Sequence, residues 1–212
     1  MNHALLIAFV VAVALISVVP GPDMMFVLAH AVSGGRRTGF VAAAGMSTGL
    51  TVHTVAAAFG LGALIRTAPL VLEGIRIAGA LFLVYLAVMT WRASRGKGGS
   101  VRTPNKPRSL PRVYVMAVLT NLANPKVILF YLAFMPQFLT TGAHSWPVTA
   151  QFLVLGAIFI AIGIVVDSTV ATLAGTFSER VLSRQAFRRW LERASATIFG
   201  ALAVRLVLDA TQ

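Results

Sequence analysis

Long apolar stretches, each about as long as a membrane-spanning helix, alternate along the chain with short polar or basic connections. A helix needs about 20 apolar residues to cross the hydrocarbon core of a bilayer. The stretches lie at about 4–31, 39–65, 70–92, 113–139, 147–173 and 194–210. This pattern predicts an all-α, polytopic membrane protein with six transmembrane helices.

Proline interrupts the first and the fourth of these stretches. The first contains Pro20-Gly21-Pro22-Asp23, and the fourth contains Asn124-Pro125-Lys126. A proline inside a helix removes a backbone hydrogen bond and clashes with the preceding turn. In lipid, the freed backbone groups need protein or a water-filled cavity around them. We therefore predict that helices 1 and 4 are broken and that these seven residues form a binding site near the midplane. Packing kinks at the two prolines of the first stretch are the alternative.

The composition supports a membrane protein. Hydrophobic residues make up 58% of the chain and charged residues 11%, whereas soluble domains carry about 25% charged residues. The net charge of +12 does not indicate nucleic-acid binding, because the basic residues lie in connections without interleaved stacking aromatics. Anionic lipid headgroups are the predicted partner instead. The chain has no cysteine, which excludes thiol redox chemistry; neither a cofactor nor a metal is predicted.

The basic residues also predict an orientation. Fourteen of the eighteen Lys and Arg residues lie in the first, third and fifth connections. Such residues are retained on the cytoplasmic side, so both termini are predicted to lie outside. The third connection, about 94–112, is a basic linker rich in Gly and Pro. Residues 178–193 are predicted to form an amphipathic helix at the membrane surface.

The linker divides one transmembrane domain, 1–212, into two repeats, about 1–93 and 113–212. Three stretches precede the linker and three follow it, so the repeats have opposite orientations. Gly49-x-x-x-His53 in the second stretch resembles Gly163-x-x-x-Asp167 in the fifth. This organisation predicts an inverted-repeat transporter. Gly45, Gly49 and Gly163 are predicted to permit close helix packing.

Four ionisable side chains on four different stretches are predicted to lie at similar depths. Asp23, Lys126 and Asp167 are each 13 or 14 residues from the nearest cytoplasmic arginine, which is roughly 20 Å along a helix. His53 is 16 residues from such an arginine, or roughly 24 Å. Ionisable groups at these depths mark solute or proton pathways. Asp167, Asp23 and His53 are therefore candidates for proton coupling, while a packing role for His53 and a counter-ion role for Lys126 stay open.

Taken in order, these motifs resemble the LysE/RhtB family, the lysine and homoserine/threonine exporter group. The resemblance covers essentially the whole chain. Its further motifs are Pro136-Gln137-Phe138, Gly34-Gly35-Arg36-Arg37-x-Gly39 and Arg76-x-x-Gly79-Ala80-x-x-Leu83-x-Tyr85-Leu86. Ala87 stands where relatives often carry glycine. The resemblance implies efflux of an amino acid or related small solute across the bacterial cytoplasmic membrane in exchange for protons. A homodimer is compatible with the sequence.

Other functions fit the residues less well. Export of a cation or of a different small solute is the main alternative, but clustered carboxylates are too few to favour a cation. An intramembrane aspartyl protease would need a glycine-aspartate motif that the sequence lacks, and no HExxH or Gly-x-Ser-x-Gly motif is present. We therefore expect no enzyme activity. A channel differs from a carrier in lacking saturable, proton-dependent flux.

The charge bias leads to a topology test. Reporter fusions after Gly96 and after Ser183 are expected to report a cytoplasmic location, and a fusion at Thr141 an external one, because basic connections stay inside. Reporter activity in intact cells checks this. A cytoplasmic signal from Thr141 would contradict the six-helix topology.

Overall fold

A computed structural model describes residues 3–61, 69–95, 109–140, 142, 145–176, 193–194, 196–201 and 203–204. Within these ranges the regular structure is helical and no strand occurs, in agreement with the all-α prediction. The helices are α1 (His3–Val18), α2 (Pro22–Ala56), α3 (Pro69–Arg95), α4 (Leu110–Leu122), α5 (Pro125–Leu129) and α6 (Val148–Thr176). A π-helix, Ala57–Leu61, continues α2, while a π-helix, Phe130–Phe134, and a 3-10 helix, Met135–Phe138, continue α5.

Three helices in the described part of the chain are long and apolar enough to cross a membrane. They are Glu73–Arg92, Val148–Ala174 and Pro22–Leu61, the last of which a sharp turn at Gly35 divides into two legs. Helices α4 and α5 with its extension, bent by 45° at their break, form a fourth candidate if they count as one span. Helix α1, with 16 residues, is a shorter apolar helix. The molecule is thus a helical membrane protein, and the number six stays a prediction. Of the amphipathic segment 178–193, residues 178–192 lie outside the described residues, as do 195, 202 and 205–210 of the sixth stretch; the described residues of that stretch are helical.

Helix α2 is two helical legs joined by a sharp turn at Gly35. This residue has φ +78° and ψ 175°, a conformation that glycine adopts without steric cost. A Cβ built on Gly39 would lie 2.8 Å from the Cβ of Ala31, although residues eight apart in a continuous helix are about 12 Å apart. The chain therefore folds back here. The exposed Arg36 and Arg37 lie at this turn, where the sequence predicts the first connection.

The directions of the packed helices follow from their glycine contacts. Along the second leg of α2, Gly45 contacts Ala117 and Gly49 contacts Asn121, so this leg runs parallel to α4. Farther along the same leg, Leu50 contacts Gly163 and Thr54 contacts Gly156, so it runs antiparallel to α6. These directions are those of a chain that crosses the membrane back and forth.

Aromatic side chains join α1 to the extended helix α5. The ring of Phe9 lies 5.1 Å from that of Phe138 and 6.0 Å from that of Phe130. At the other end of α1, Lys126 reaches the carbonyl oxygen of Ile16. Helices α1 and α5 are therefore antiparallel, with their apolar contacts at one end and a charged group at the other.

Gln151, near the start of α6, is fully buried. Its Oε1 accepts from the backbone N–H of Thr140 at 2.9 Å, and its Nε2 donates to the carbonyl oxygens of Thr140 and Trp146 at 2.9 and 2.7 Å. Buried amides persist when they are hydrogen-bonded in this way. Gln151 thus ties the start of α6 to the end of the preceding span.

The predicted linker, 94–112, is too wide at both ends. Helix α3 continues to Arg95, and helix α4 begins at Leu110. Pro111 falls within the predicted linker, but proline is tolerated in the first turn of a helix, where its missing N–H has no partner to lose. Ser109 precedes this turn in extended conformation. Residues 96–108 lie outside the described residues.

The contact between α2 and α4 can be tested at Gly45. A Cβ there would lie 2.6 Å from both the Cβ of Ala117 and the carbonyl oxygen of Tyr114. Backbone cannot yield as a flexible side chain can, so we expect Gly45→Ala to lower the free energy of unfolding by about 1–3 kcal/mol. Gly74→Ala is the matched control, because nothing lies within 4 Å of its Cβ position. Thermal melts of the purified variants check this, and equal melting temperatures would contradict the packing.

Candidate functional site

The first helix break lies between α1 and α2. Helix α1 ends at Val18, and Gly21 is extended, with φ −134° and ψ −176°. Pro22 opens α2, so Asp23 is the second residue of that helix. The last carbonyl groups of a helix have no intrahelical partner. The backbone oxygens of Ile16 and Val19 are therefore available at this break.

The second break lies between α4 and α5 and spans only Ala123 and Asn124. Asn124 caps α5, since its side-chain oxygen accepts from the backbone N–H of Lys126 at 3.0 Å. Its backbone is also occupied, because its N–H donates to Asn121 and its carbonyl oxygen accepts from Val127 and Ile128. Few backbone groups thus remain free at this second break. The buried Nδ2 of Asn124 has no partner among the described residues.

A buried ion pair joins the two breaks. The ammonium of Lys126 lies 3.1 Å from Oδ2 of Asp23 and donates to Oδ1 at 3.2 Å. It also donates to the carbonyl oxygens of Val19 at 3.2 Å and Ile16 at 3.4 Å. The side chain of Lys126 is 6% exposed and that of Asp23 18%. The ammonium therefore has four oxygen neighbours in place of water.

The two charges occupy matching positions in the two broken helices. Asp23 follows Pro22 at the second residue of α2, and Lys126 follows Pro125 at the second residue of α5. A helix N-terminus favours the carboxylate of Asp23 and disfavours the ammonium of Lys126. This unfavourable interaction with the dipole of α5 is offset because the Lys126 ammonium lies at the C-terminal end of α1, where the carbonyl groups favour a cation.

The ion pair forms one wall of a small cavity. Asp167 of α6 lines the same cavity, together with Ser17 of α1. The remaining lining residues are Ile16, Leu50, Val127, Phe159, Gly163 and Val166. The cavity volume is about 20 Å³, space for about one water molecule. Three ionisable side chains that the sequence places at one depth, Asp23, Lys126 and Asp167, thus line one small cavity.

His53, the fourth ionisable group of that layer, lies outside the lining of the cavity. Its ring stacks on Tyr131 at 5.6 Å, and its Nε2 is 3.4 Å from the carbonyl oxygen of Asn121. The Tyr131 hydroxyl in turn is 2.8 Å from Oγ1 of Thr54. The structure therefore separates His53 from the two aspartates with which the sequence groups it.

The glycines of the site allow close approach. A Cβ on Gly49 would lie 2.6 Å from Oδ1 of Asn121, and one on Gly163 would lie 3.2 Å from Leu50. A Cβ on Gly21 would lie 2.8 Å from Oδ1 of Asp23 and 3.0 Å from the Lys126 ammonium. Gly21 thus keeps the space in which the ion pair forms.

Six of the ten lining residues were not predicted as site residues from the sequence: Ile16, Ser17, Leu50, Val127, Phe159 and Val166. Ser17 carried a signal, because it is a polar residue one helical turn before a proline break; its buried Oγ has no partner among the described residues. Phe159 carried no such signal in the sequence, because an aromatic residue is common in an apolar helix. No group of three His, Asp or Glu side chains in the described ranges could hold a metal ion.

Helices broken at matching places, with a buried ion pair between the breaks, are typical of membrane transport proteins. The family comparison agrees: residues 14–210 match the family described as LysE type translocator. The chain therefore belongs to the LysE type translocator family, a family of translocators rather than of enzymes.

Curated relatives extend this result. The chain is 34% identical over 167 residues to the homoserine/homoserine lactone efflux protein of Salmonella typhimurium, covering 79% of each chain. It is 32% identical over 167 residues to the protein of the same name from Salmonella typhi, again covering 79% of each. It is 31% identical over 177 residues to an uncharacterized membrane protein of Vibrio cholerae, covering 84% of each. No solved structure matches the chain.

Separating the two charges should destabilise the protein. Gly21→Ala places a methyl group between Asp23 and Lys126, so we expect the free energy of unfolding to fall by about 1–3 kcal/mol. Gly200→Ala is the control, because nothing lies within 4 Å of its Cβ position. Thermal melts of both purified variants test this; a Gly21→Ala protein as stable as Gly200→Ala would refute the steric account of Gly21.

Proposed function

We propose that this protein exports an amino acid, or a small derivative that keeps the amino group, in exchange for protons. The observation that carries the proposal is the buried ion pair between Lys126 and Asp23 at two helix breaks, beside a cavity that Asp167 also lines. A charged cluster of this kind is costly in a membrane and marks solute or ion pathways. Membership of a translocator family supports the same reading.

The substrate class follows from the chemistry of the site and from the relatives. Two curated relatives are named for efflux of homoserine and homoserine lactone. The lactone has no free carboxylate, because its carboxyl group is esterified to its own hydroxyl, whereas the ammonium is common to both compounds. A site that recognises the ammonium group would accept both homoserine and its lactone. We therefore propose small amino acids and their lactones as substrates.

Six transmembrane helices in two inverted repeats would place this site at the midplane. The supporting observations are the turn at Gly35 and the alternating helix directions. In addition, Asp23 in α2 and Lys126 in α5 occupy matching positions just after the breaks in the predicted transmembrane helices 1 and 4. In inverted-repeat transporters, broken helices of the two halves meet at the substrate site. On this proposal both termini lie outside the bacterial cytoplasmic membrane, and the basic connections contact anionic headgroups.

Proton coupling is proposed to involve Asp167. It shares the cavity with one cation, Lys126, and one further carboxylate, Asp23. With Lys126 and Asp23 paired, a proton on Asp167 makes the cluster neutral, and its loss leaves one negative charge near the midplane. An uncompensated negative charge is unfavourable in lipid. A cationic group of the substrate would neutralise it. Protons and substrate would thus compete for one site. His53 remains a secondary candidate, since it lies outside the cavity.

A toxicity-rescue screen tests the function. Cells that express this chain are challenged with single amino acids, their lactones or toxic analogues, alongside cells with an empty vector. We expect growth to be rescued by lower intracellular accumulation of at least one compound that carries a primary amine. Protection from none of them, with the protein detected in the membrane, would contradict the proposal.

Removing the charge of Asp167 tests the coupling. We expect Asp167→Asn to abolish efflux driven by a proton gradient while folded protein remains in the membrane, because the amide cannot bind and release a proton. Ser168→Ala, the neighbouring change on the same helix, is the control and should retain efflux. Transport is measured in proteoliposomes with an imposed pH gradient. If Asp167→Asn shows efflux at the wild-type rate and with the same dependence on the pH gradient, the proposed role of Asp167 in coupling is contradicted.

A further inference from the structure

The oxygen cluster that holds the Lys126 ammonium has the composition of a primary-ammonium site. Four oxygens lie within 3.1–3.4 Å of Nζ: the two carboxylate oxygens of Asp23 and the carbonyl oxygens of Ile16 and Val19. A primary ammonium has three N–H donors, so these oxygens can satisfy it fully. We call this cluster the ammonium cradle. Gly21 keeps it open, because a Cβ there would lie 3.0 Å from Nζ.

The cradle is formed by the end of α1, the break that follows it and the start of α2, whereas its occupant belongs to α5. Lys126 enters it from the second helix break and opposes the dipole of its own helix. Nothing in the cradle is specific to lysine, because its oxygens contact only the terminal ammonium. Any small molecule with a primary amine presents the same group.

We propose that the cradle is the site for the substrate's ammonium, and that Lys126 is a tethered competitor that fills it when no substrate is bound. The inference rests on the proposed function. Substrate would displace the Lys126 ammonium from Asp23, and the freed lysine would then face Asp167, or the carboxylate of an amino-acid substrate, across the cavity. The present cavity of about 20 Å³ is too small for an amino acid, so the site must open as the lysine leaves.

This arrangement has a functional consequence. An empty transporter with an unpaired Asp23 would hold a buried charge without a partner, which is strongly unfavourable. Lys126 removes that cost in the empty state and yields to a ligand that carries the same group. The site would therefore select compounds by their primary amine, and a carboxylate would add affinity without being required.

Chemical rescue tests the cradle directly. In Lys126→Ala the deleted atoms correspond to propylammonium. We expect the purified full-length variant, in lipid nanodiscs, to melt below the wild type and to regain melting temperature saturably on addition of n-propylammonium. Tetramethylammonium carries the same charge without N–H donors and should give no saturable rise. The double variant Lys126→Ala/Asp23→Asn, with the carboxylate removed, should respond to neither cation. The wild type, whose tethered lysine competes for the cradle, should need a higher concentration of n-propylammonium than Lys126→Ala and should also show no saturable rise with tetramethylammonium.

The result that overturns the inference is a Lys126→Ala protein that ignores propylammonium or responds equally to both cations. Failure of this inference can be distinguished from failure of the proposed function. If propylammonium restores the melting temperature of Lys126→Ala but the wild type exports no amine compound, the proposed function is refuted and the cradle stands. If the wild type exports an amine compound but propylammonium has no effect on Lys126→Ala, the cradle alone is refuted.

Displacement of the lysine is measured in a second protein, so that the test does not depend on the folding of Lys126→Ala. The chain has three lysines, and Lys97→Arg/Lys106→Arg leaves Lys126 as the only one. With ¹⁵N-labelled lysine, the ammonium resonance should move on saturation with homoserine and stay unmoved with 4-hydroxybutanoate, which lacks the amino group. A resonance that homoserine leaves in place would overturn the competitor role.

Discussion

The rest of this structure depends on one constraint: the ammonium of Lys126 is buried in the interior of a membrane protein and must be surrounded by oxygen. Its partners are a carboxylate, Asp23, and the carbonyl groups that end helix α1. Because these groups lie on different helices, satisfying the charge fixes how the two broken helices meet. Removing one partner of such a pair leaves an uncompensated charge, which costs about 3–5 kcal/mol. The breaks, the cavity and Asp167 are arranged around this contact.

Much of the site could be predicted from the sequence. Proline inside an apolar stretch is a strong local signal, and both predicted breaks are present, at Gly21 and at Asn124. Counting residues from the basic connections placed Asp23, Lys126 and Asp167 at one depth, and the three line one cavity. Helical rise is nearly constant, so equal distances along neighbouring helices predict side chains at similar heights in the helix bundle; their depth in the membrane stays a prediction. The family resemblance is confirmed over residues 14–210.

The remaining features depend on contacts that no local pattern encodes. The sequence leaves open whether Lys126 has a counter-ion and which residue that would be, and only the packing of the helices brings it to Asp23. Asn124 uses its side chain as a helix cap, which a lone Asn-Pro pair does not distinguish from substrate binding. His53 shares the depth of the aspartates but stacks on Tyr131 instead, because depth does not specify the direction of a side chain. The predicted linker, about 94–112, extends into α4 because the sequence alone does not show that Pro111 lies in the first turn of that helix.

The central claim is that Asp23 and Lys126 stabilise each other across the two helix breaks. A double-mutant cycle tests it most directly, with Asp23→Asn, Lys126→Met and the double variant unfolded reversibly in mixed micelles. The account predicts a coupling free energy of at least about 1.5 kcal/mol, the range of hydrogen bonds to charged groups, so that the double variant is more stable than the sum of the single effects allows. Additive effects of the two substitutions, with a coupling free energy near zero, would contradict it.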